Sequence, residues 1–355
     1  MINTPGKIAE SYSSCTADSS RIGPCDVLTI ALVNNMPDAG LQATERQFCA
    51  LLSAASVGML VKLKFYSIPG ISRSNAACAH IERYYEDFAE LRQNPPDGLI
   101  VTGTQPHARF LRDEPFWPSL CRLVEWADCN GIPSIWSCLA AHAAVLEIDG
   151  IERYPLGGKL SGLFECQISP HKHHILHGLP TKWRVPHSRF YGLRKNALLS
   201  GGYTILSQSR DVGPDIFLRQ GRALQLFFQG HPEYRAATLM SEYRRDVGKF
   251  LDGKSRSYPA MPVGQFSMNV ASKFARIADR ATRERPLDTL ATFDALASET
   301  TLEDCWSQVA RRIYVNWIAY VSDRRLYPAS EIKFGMASPE SSHVASNTVP
   351  MTNSG

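Results

Sequence analysis

Cys138 stands at a position where a thiol can act as a nucleophile. It follows an apolar run that begins at Pro133 and precedes an Ala-rich segment with helical spacing. A cysteine at a strand-to-helix junction lies at the helix N-terminus, where unpaired N–H groups and the helix dipole favour the thiolate and can stabilise an oxyanion. A single cysteine at such a junction is more often structural, so a chemical role needs partners elsewhere in the chain.

A second strand end supplies those partners. An apolar run from Ala223 ends at Gly230, and His231 and Glu233 follow it. Residues two apart in an extended segment point to the same side, so Glu233 can hydrogen-bond one imidazole nitrogen while the other takes a proton from a thiol. The sequence therefore predicts that Cys138, His231 and Glu233 form a nucleophile, a base and an orienting carboxylate for acyl transfer.

The elements that must position these residues alternate between strands and helices. Buried apolar runs predict strands at 26–34, 61–68, 98–103, 133–138 and 223–230. Helical spacing predicts helices at 42–55, 76–92, 115–129, 139–147 and 234–250. The intervening segment 150–221 is less regular and rich in His, Pro and Gly. This order indicates an open, mostly parallel α/β sheet flanked by helices, in which ligands bind at the carboxyl ends of the strands.

Composition along the chain predicts four parts. They are a polar leader at 1–25, an α/β domain at 26–252, a C-terminal helical extension at 265–330 and a disordered tail at 331–355. Aromatic residues recur at helical spacing in the extension, and we interpret them as core residues or a dimer contact. They are Trp306, Tyr314, Trp317 and Tyr320.

Charge and hydropathy argue against several classes of partner. The chain has 355 residues and a formal net charge of +4 without a basic block, which predicts neither nucleic acid nor a membrane surface as partner. No stretch approaches the roughly 20 apolar residues of a membrane span, and the polar leader lacks the apolar run of a secretory signal. We therefore expect a cytoplasmic protein.

Cysteine and histidine usage predicts no metal. Nine cysteines occur without a CxxC pair, so neither a zinc site nor a disulfide framework is indicated, and most thiols are expected to be small buried hydrophobic groups. Histidines at 171, 173, 174 and 177 lack acidic or cysteine ligands at suitable spacing, and we interpret them as part of a solvated loop. The glycines form no phosphate-binding pattern.

Six short blocks occur in a consistent order over roughly residues 26–250. The blocks are Asp97–Gly103 (DGLIVTG), Phe116–Pro118 (FWP), Lys159–Gly162 (KLSG), Pro186–Arg189 (PHSR), Gly230–Tyr234 (GHPEY) and Glu242–Asp246 (EYRRD). Together they resemble the homoserine O-succinyltransferase (homoserine transsuccinylase) family. The resemblance implies a flavodoxin-like core related to class I glutamine amidotransferases, and a homodimer. It also implies acylation of the hydroxyl of homoserine, the entry step to methionine, with succinyl-CoA or acetyl-CoA as co-substrate and no bound cofactor.

The resemblance also implies roles for individual residues. The catalytic cysteine, histidine and glutamate of the family fall on Cys138, His231 and Glu233, and the arginine that holds the amino-acid carboxylate falls on Arg245. Other residues that match segments lining the substrate site are Lys159, Ser188, Arg189 and Glu242. The loop that sorts acyl donors contains Thr102, Gly103, Thr104 and His107, with His107 at the sorting position.

Two departures from the family leave the substrate open. Met36 and Pro37 are not followed by the lysine that helps to hold the oxyanion, so main-chain N–H groups are expected to do so. His107 replaces the usual Gly or Glu of the donor loop, so succinyl and acetyl donors both remain possible. Serine O-acylation in a specialised pathway and a glutamine amidotransferase-like amidase are the alternatives, although Cys138 lacks the flanking glycines usual in amidotransferases.

Overall fold

A ten-stranded mixed sheet lies at the centre of the chain. The structure is a computed structural model and describes residues 2–3, 27–171 and 173–326. The strands are β1 (Ile2–Asn3), β2 (Val27–Val33), β3 (Leu60–Tyr66), β4 (Gly98–Val101), β5 (Ser134–Ser137), β6 (Tyr154–Ile168), β7 (Lys182–Gly192), β8 (Thr204–Ser209), β9 (Gly213–Gln220) and β10 (Leu224–Phe228). Their order across the sheet is β1-β3-β2-β4-β5-β10-β9-β8-β6-β7.

Helices cover the sheet and follow the strands in the predicted alternation. They are α1 (Asp38–Ala55), α2 (Asn75–Tyr84), α3 (Glu90–Gln93), α4 (Trp117–Cys129), α5 (Leu139–Asp149), α6 (Lys195–Ser200), α7 (Thr238–Leu251), α8 (Met268–Glu284), α9 (Thr289–Glu299) and α10 (Ser307–Leu326). The α/β fold class predicted from the sequence is confirmed.

The parallel half of the sheet explains the continuous apolar runs. The strands from β1 to β10 in the sheet order pair in parallel. Every residue of β4, β5 and β10 is buried, because helices cover both faces of such a sheet. β5 and β10 are direct neighbours, with Phe228 paired to Ser137. The two strand ends predicted to carry chemistry therefore lie side by side.

The segment 150–221 is more regular than the sequence suggested. It contains β6, β7, β8 and β9, which extend the sheet in antiparallel fashion. The register of β6 shifts between Pro155 and Leu160, and that strand alternates irregularly between exposed and buried residues. A bulged strand with one solvated face lacks a continuous apolar run, so the apolar pattern of the sequence did not predict this strand.

Several helix boundaries also differ from the prediction. The helix expected at 76–92 is interrupted after Tyr84, where Tyr85 is extended and the N–H of Glu86 donates to the carbonyl of Phe65. Helix α7 begins at Thr238 rather than Tyr234, which leaves the residues after Gly230 in an irregular loop. Helix α9 was not predicted.

The C-terminal helices pack onto the α/β core. Trp317 and Tyr314 of α10 belong to the same buried cluster as Phe48 of α1 and Ile30 of β2, which confirms that these aromatic residues are in the core. Helices α7, α8 and α9 share a smaller cluster around Phe274. The boundary between an α/β domain and a helical extension stays a prediction, and the tail at 331–355 lies outside the described residues.

The expectation that most thiols are buried is wrong for the described cysteines. Cys49 and Cys166 are buried, Cys121 and Cys138 are intermediate, and the exposed ones are Cys78, Cys129 and Cys305. Exposure is tolerated because a thiol side chain is small and leaves little apolar area in contact with water. Within the described ranges, no helix has the length and apolar character to cross a membrane.

Candidate active site

Cys138 alone forms the turn between β5 and α5. Its φ of 53° and ψ of −114° are values that a residue with a Cβ rarely adopts. Its N–H donates to the carbonyl of Phe228 at 2.7 Å, which ties the end of β5 to the end of β10. The small Ala140 and Ala141 are buried behind the turn. Such strain costs about 1–3 kcal/mol and persists where the surrounding structure enforces it, commonly at functional sites.

This strain predicts a measurable stability effect. Glycine adopts positive φ readily, whereas Ala keeps the Cβ and with it the strain. Cys138→Gly is therefore expected to have a free energy of unfolding about 1 kcal/mol higher than Cys138→Ala. Urea denaturation of the two variants measures the difference. A glycine variant of equal or lower stability would show that the turn is not strained.

His231 and Glu233 lie together in the loop after β10, as predicted. His231 Nδ1 is 2.8 Å from Glu233 Oε1, and both side chains are nearly inaccessible to solvent. The N–H of His231 donates to the carbonyl of Pro186 at 2.8 Å, which fixes the loop against β7. Because Glu233 engages Nδ1, Nε2 is the nitrogen of His231 that can exchange a proton with another group.

The charges of His231 and Cys138 interact. Burial by itself lowers the pKa of His231, but the negative charges of Cys138 and Glu233 and the hydrogen bond with Glu233 raise it well above its ordinary value. Nε2 is buried and has no hydrogen-bond partner among the described residues. The structure therefore brings the three predicted residues together, in an arrangement where imidazole can exchange a proton with the thiol.

Two main-chain N–H groups lie beside the thiol. A Cβ placed on Gly103 would be 3.0 Å from the nitrogen of Leu139, so the turn after β4 approaches the first residue of α5 closely. Neither N–H donates a hydrogen bond to another residue in the described part of the chain. Unpaired N–H groups this close to a nucleophile can bind an oxyanion.

A buried asparagine organises the turn after β4. The N–H of Asn35 donates to Thr102 Oγ1 at 2.8 Å, and Asn35 Nδ2 donates to the carbonyl of Thr102 at 3.3 Å. Asn35 Oδ1 also accepts from the N–H of Ile68 at 3.1 Å. Thr102 therefore positions the neighbouring Gly103, and the side chain of Asn35 joins the ends of three parallel strands.

Arg73 lies against the loop from which the family lysine is missing. Its guanidinium donates to the carbonyl of Met36, to Asp38 at 3.4 Å and to Ser67 at 3.3 Å. These contacts hold the Met36–Pro37 turn. The guanidinium of Arg73 is therefore occupied by these acceptors, and Arg73 does not take the place of the missing lysine.

The loop that the resemblance assigns to donor selection, called the donor loop below, is held by a buried carboxylate that the sequence did not reveal. Glu114 Oε1 accepts hydrogen bonds from the main-chain N–H groups of His107 at 2.5 Å and Ala108 at 2.6 Å. The side chain of His107 is exposed. Thr104 is half-buried and follows Gly103 in the same loop.

Three of the predicted substrate-binding residues form one polar cluster. Glu242 Oε2 accepts from the hydroxyl of Ser188 and from Lys159 Nζ at 3.2 Å, and Lys159 also bonds Asp246 Oδ2 at 2.7 Å. Burial alone raises the pKa of Glu242, but Lys159 and the hydroxyl of Ser188 lower it below its ordinary value. Arg245 borders the cluster through Asp246 at 3.1 Å.

Tyr234 connects this cluster to the imidazole. Its ring stacks on that of His231, with centroids 4.3 Å apart and planes 17° apart. Its hydroxyl donates to Glu242 Oε1 at 2.8 Å, and its main-chain carbonyl accepts from Trp306 Nε1 at 2.8 Å. The GHPEY block contains Tyr234, but its contacts with Glu242 and Trp306 could not be inferred from the motif.

Arg189 lies apart from the polar cluster. It is buried, and its guanidinium donates at 2.6 Å to the carbonyls of Tyr191 and Val212. Successive residues of a strand face opposite sides, so Arg189 faces away from Ser188. Its role in binding the substrate stays a prediction, because both terminal nitrogens already have acceptors.

A buried polar group supports the loop that carries His231. The described residues contain one set of three possible metal ligands, Cys166, His187 and Asp215, whose ligand atoms lie within 4.8 Å of one another. Burial raises the pKa of Asp215 to about 6, partly offset by Ser207 and the charge of Arg189. A Cβ on Gly230 would lie 2.7 Å from Asp215 Oδ1. We interpret this group as packing behind the loop.

The histidines at 171–177 do not gather into such a set. His173 Nδ1 accepts from the N–H of Ile175 at 3.3 Å, and the ring of His174 stacks on Tyr320. His171 and His177 are exposed. The solvated loop predicted here is therefore solvated only in part, because two of its histidines pack against neighbouring residues.

The sheet and the site define an α/β enzyme suited to acyl transfer: a thiol, an imidazole and a carboxylate meet at adjacent strand ends beside free N–H groups. The family model of homoserine O-succinyltransferase matches residues 10–327, and the chain belongs to this family. The protein is therefore an acyltransferase.

Curated relatives match this chain over most of their length. A homoserine O-succinyltransferase of Methylorubrum extorquens is 43% identical, and the match covers 84% of this chain and 88% of the relative. Another, from Rhodopseudomonas palustris, is 40% identical over 89% of this chain and 95% of its own. Among solved structures, a glutamine amidotransferase from Thermotoga maritima shares 12% identity at a TM-score of 0.46, covering 83% of this chain and 98% of that one.

Proposed function

We propose that the protein transfers a succinyl group from succinyl-CoA to the side-chain hydroxyl of L-homoserine, through a thioester on Cys138. Relatives named homoserine O-succinyltransferase support the substrates. The observation that carries the chemistry is that Cys138 and the hydrogen-bonded His231–Glu233 pair follow adjacent strand ends, close enough for their charges to interact. The free N–H groups of Gly103 and Leu139 belong to the same edge of the sheet. Acetyl-CoA and L-serine are the alternative donor and acceptor.

In the first half-reaction the thiolate of Cys138 attacks the thioester carbonyl of the donor. His231 holds the proton of the thiol, and its raised pKa favours this protonated state. The N–H groups of Gly103 and Leu139 bind the oxyanion. The C–S bond to CoA then breaks, and His231 returns the proton to the departing CoA thiolate. Exchange of one thioester for another is nearly neutral in energy, so the barrier stays modest.

In the second half-reaction the acceptor enters beside the polar cluster. Its carboxylate binds Arg245, which pairs with Asp246 in the free protein, and its ammonium group binds Glu242. His231, now neutral, takes the hydroxyl proton as the oxygen attacks the acyl thioester. The bond to Cys138 breaks and the O-acyl amino acid leaves. This sequence is ping-pong and forms a step of methionine biosynthesis.

A matrix of donors and acceptors tests the proposal. Succinyl-CoA and acetyl-CoA are each combined with L-homoserine and L-serine, and intact mass reports the acyl-enzyme before the acceptor is added. We expect a succinyl adduct on Cys138 that disappears when L-homoserine is added. Hydrolysis of glutamine without any acyl adduct would instead favour an amidase. A homodimer and a cytoplasmic location stay predictions.

Tyr234 provides a separate test of the acceptor site. Tyr234→Phe keeps the aromatic stack on His231 but removes the hydrogen bond to Glu242. Because a hydrogen bond to a charged group contributes roughly 1.5–3 kcal/mol, the KM for L-homoserine is expected to rise about tenfold with little change in kcat. Steady-state kinetics measure both, with Tyr84→Phe on α2 as control. A fall in kcat at constant KM would contradict the assignment of Glu242 to acceptor binding.

A further inference from the structure

Arg153 is a cation close to the nucleophile that the chemistry above does not use. It precedes β6, and its guanidinium lies over the ring of Tyr191, 3.8 Å from the centroid. Its charge interacts with Cys138 and with Glu114, which holds the donor loop. It also acts on His142, one turn into α5. The adjacent Glu152 accepts a hydrogen bond from Arg112 at 2.6 Å, and Arg112 lies two residues before Glu114. The segment that carries Arg153 therefore packs beside the loop that the resemblance assigns to donor selection, and its charge reaches the thiol.

The hydrogen-bonding capacity of Arg153 is unused. Within the described part of the chain it makes no hydrogen bond and no ion pair, and its guanidinium lies on the face of Tyr191. Other cations of the site already have acceptors: Arg189 donates to two main-chain carbonyls, and Lys159 binds two carboxylates. Arg153 thus has a free planar fork, the geometry that binds a carboxylate through two parallel hydrogen bonds.

The surroundings hold the guanidinium in place. Arg153 is half-buried, and burial lowers its pKa, although the charges of Tyr191, Glu114 and Cys138 act in the opposite direction. Glu114 is itself occupied by the N–H groups of His107 and Ala108. Stacking on Tyr191 holds the guanidinium in one orientation, which reduces the entropy lost when a ligand binds.

We propose that Arg153 binds the terminal carboxylate of the acyl donor and thereby selects a dicarboxylic acyl group. A succinyl group on Cys138 carries this carboxylate beyond a short methylene spacer, whereas an acetyl group has none. The inference rests on the proposed function and adds the donor class to it. It also offers an explanation for succinyl selection when His107 replaces the usual residue of the donor loop.

The test measures the rate at which Cys138 is acylated, by intact mass, for Arg153→Gln and the wild type. With succinyl-CoA the variant is expected to be about 10- to 100-fold slower, the equivalent of one charge-assisted hydrogen-bonded pair. With acetyl-CoA its rate is expected to match the wild type. Arg194→Gln is the matched control, because Arg194 stacks on Tyr154 in the same way, 4.7 Å from the centroid.

Other outcomes separate the alternatives. Equal losses with both donors would assign Arg153 to the phosphates of CoA or to the oxyanion, and would overturn the proposal, as would no loss with either donor. Acylation of the wild type by acetyl-CoA alone would overturn it while leaving acyl transfer intact. If neither donor acylated Cys138, the proposed function itself would be contradicted.

A measurement on the wild type avoids any effect of substitution on folding. Butyryl-CoA has the chain length of succinyl-CoA but no terminal carboxylate. The wild type is expected to be acylated about 10- to 100-fold faster by succinyl-CoA than by butyryl-CoA. Equal rates with the two donors would overturn the proposal even if Arg153→Gln did not fold.

Discussion

Cys138→Ala is expected to abolish both the acyl-enzyme and the transfer of the acyl group, with a loss of at least about 10⁴-fold in kcat. The methyl group of alanine cannot attack the donor. The contacts that remain, with the oxyanion and with the substrates, can stabilise only a direct attack of L-homoserine on the donor. The backbone of the turn is held by the hydrogen bond to Phe228, which does not involve the side chain. Intact mass after mixing with succinyl-CoA and a transfer assay measure the two losses.

The chain offers a matched control for this variant. Cys305 is exposed and lies outside the site, whereas Cys138 is half-buried, so Cys305→Ala removes a solvent-accessible thiol without touching the turn. This variant is expected to form the acyl-enzyme at the rate of the wild type. If Cys138→Ala kept even a tenth of the wild-type rate, the covalent mechanism would be excluded, and direct transfer between bound donor and acceptor would be the remaining explanation.

The meeting of Cys138 and His231 was predictable from the sequence because it depends on general properties of parallel sheets. Both follow short apolar runs, and runs buried on both faces are typical of parallel strands whose carboxyl ends share one edge. The pairing of Phe228 with Ser137 is the register that this reasoning needs. The catalytic roles of these residues stay predictions, since proximity alone does not establish them.

Other parts of the site could not be inferred because they depend on contacts between distant segments. Glu114 binds a loop through a side chain whose sequence neighbours carry no signal. Arg153 and Tyr191 lie together only because β6 and β7 pair. The bulge in β6 interrupts the apolar alternation, so that pairing was not predictable from the sequence. Trp306 was recognised as an aromatic core residue, but its bond to the carbonyl of Tyr234 crosses from the C-terminal helices to the loop after β10.

Glu233→Gln is expected to lower the rate of transfer from the acyl-enzyme to L-homoserine by at least about 100-fold, the lower end of the contribution of a general base. In the acyl-enzyme Cys138 no longer carries a charge. The negative charge that still contacts His231 directly is the carboxylate of Glu233. The amide keeps a hydrogen bond but does not stabilise the imidazolium that forms as the hydroxyl proton moves.

The same substitution has a predicted sign in its pH dependence. The charge of Glu233 raises the pKa of His231, and this contribution persists in the acyl-enzyme, where Cys138 is uncharged. Transfer requires neutral imidazole, so the wild-type rate increases as pH rises through the pKa that His231 has in the acyl-enzyme. Without the charge the pKa of His231 falls, and the acid limb of the profile moves to lower pH even though the maximal rate is smaller. Single-turnover transfer from isolated acyl-enzyme across a pH series measures both effects, with the exposed Glu165→Gln as control. A profile that keeps its position while the rate falls would mean that Glu233 orients His231 without acting on its charge.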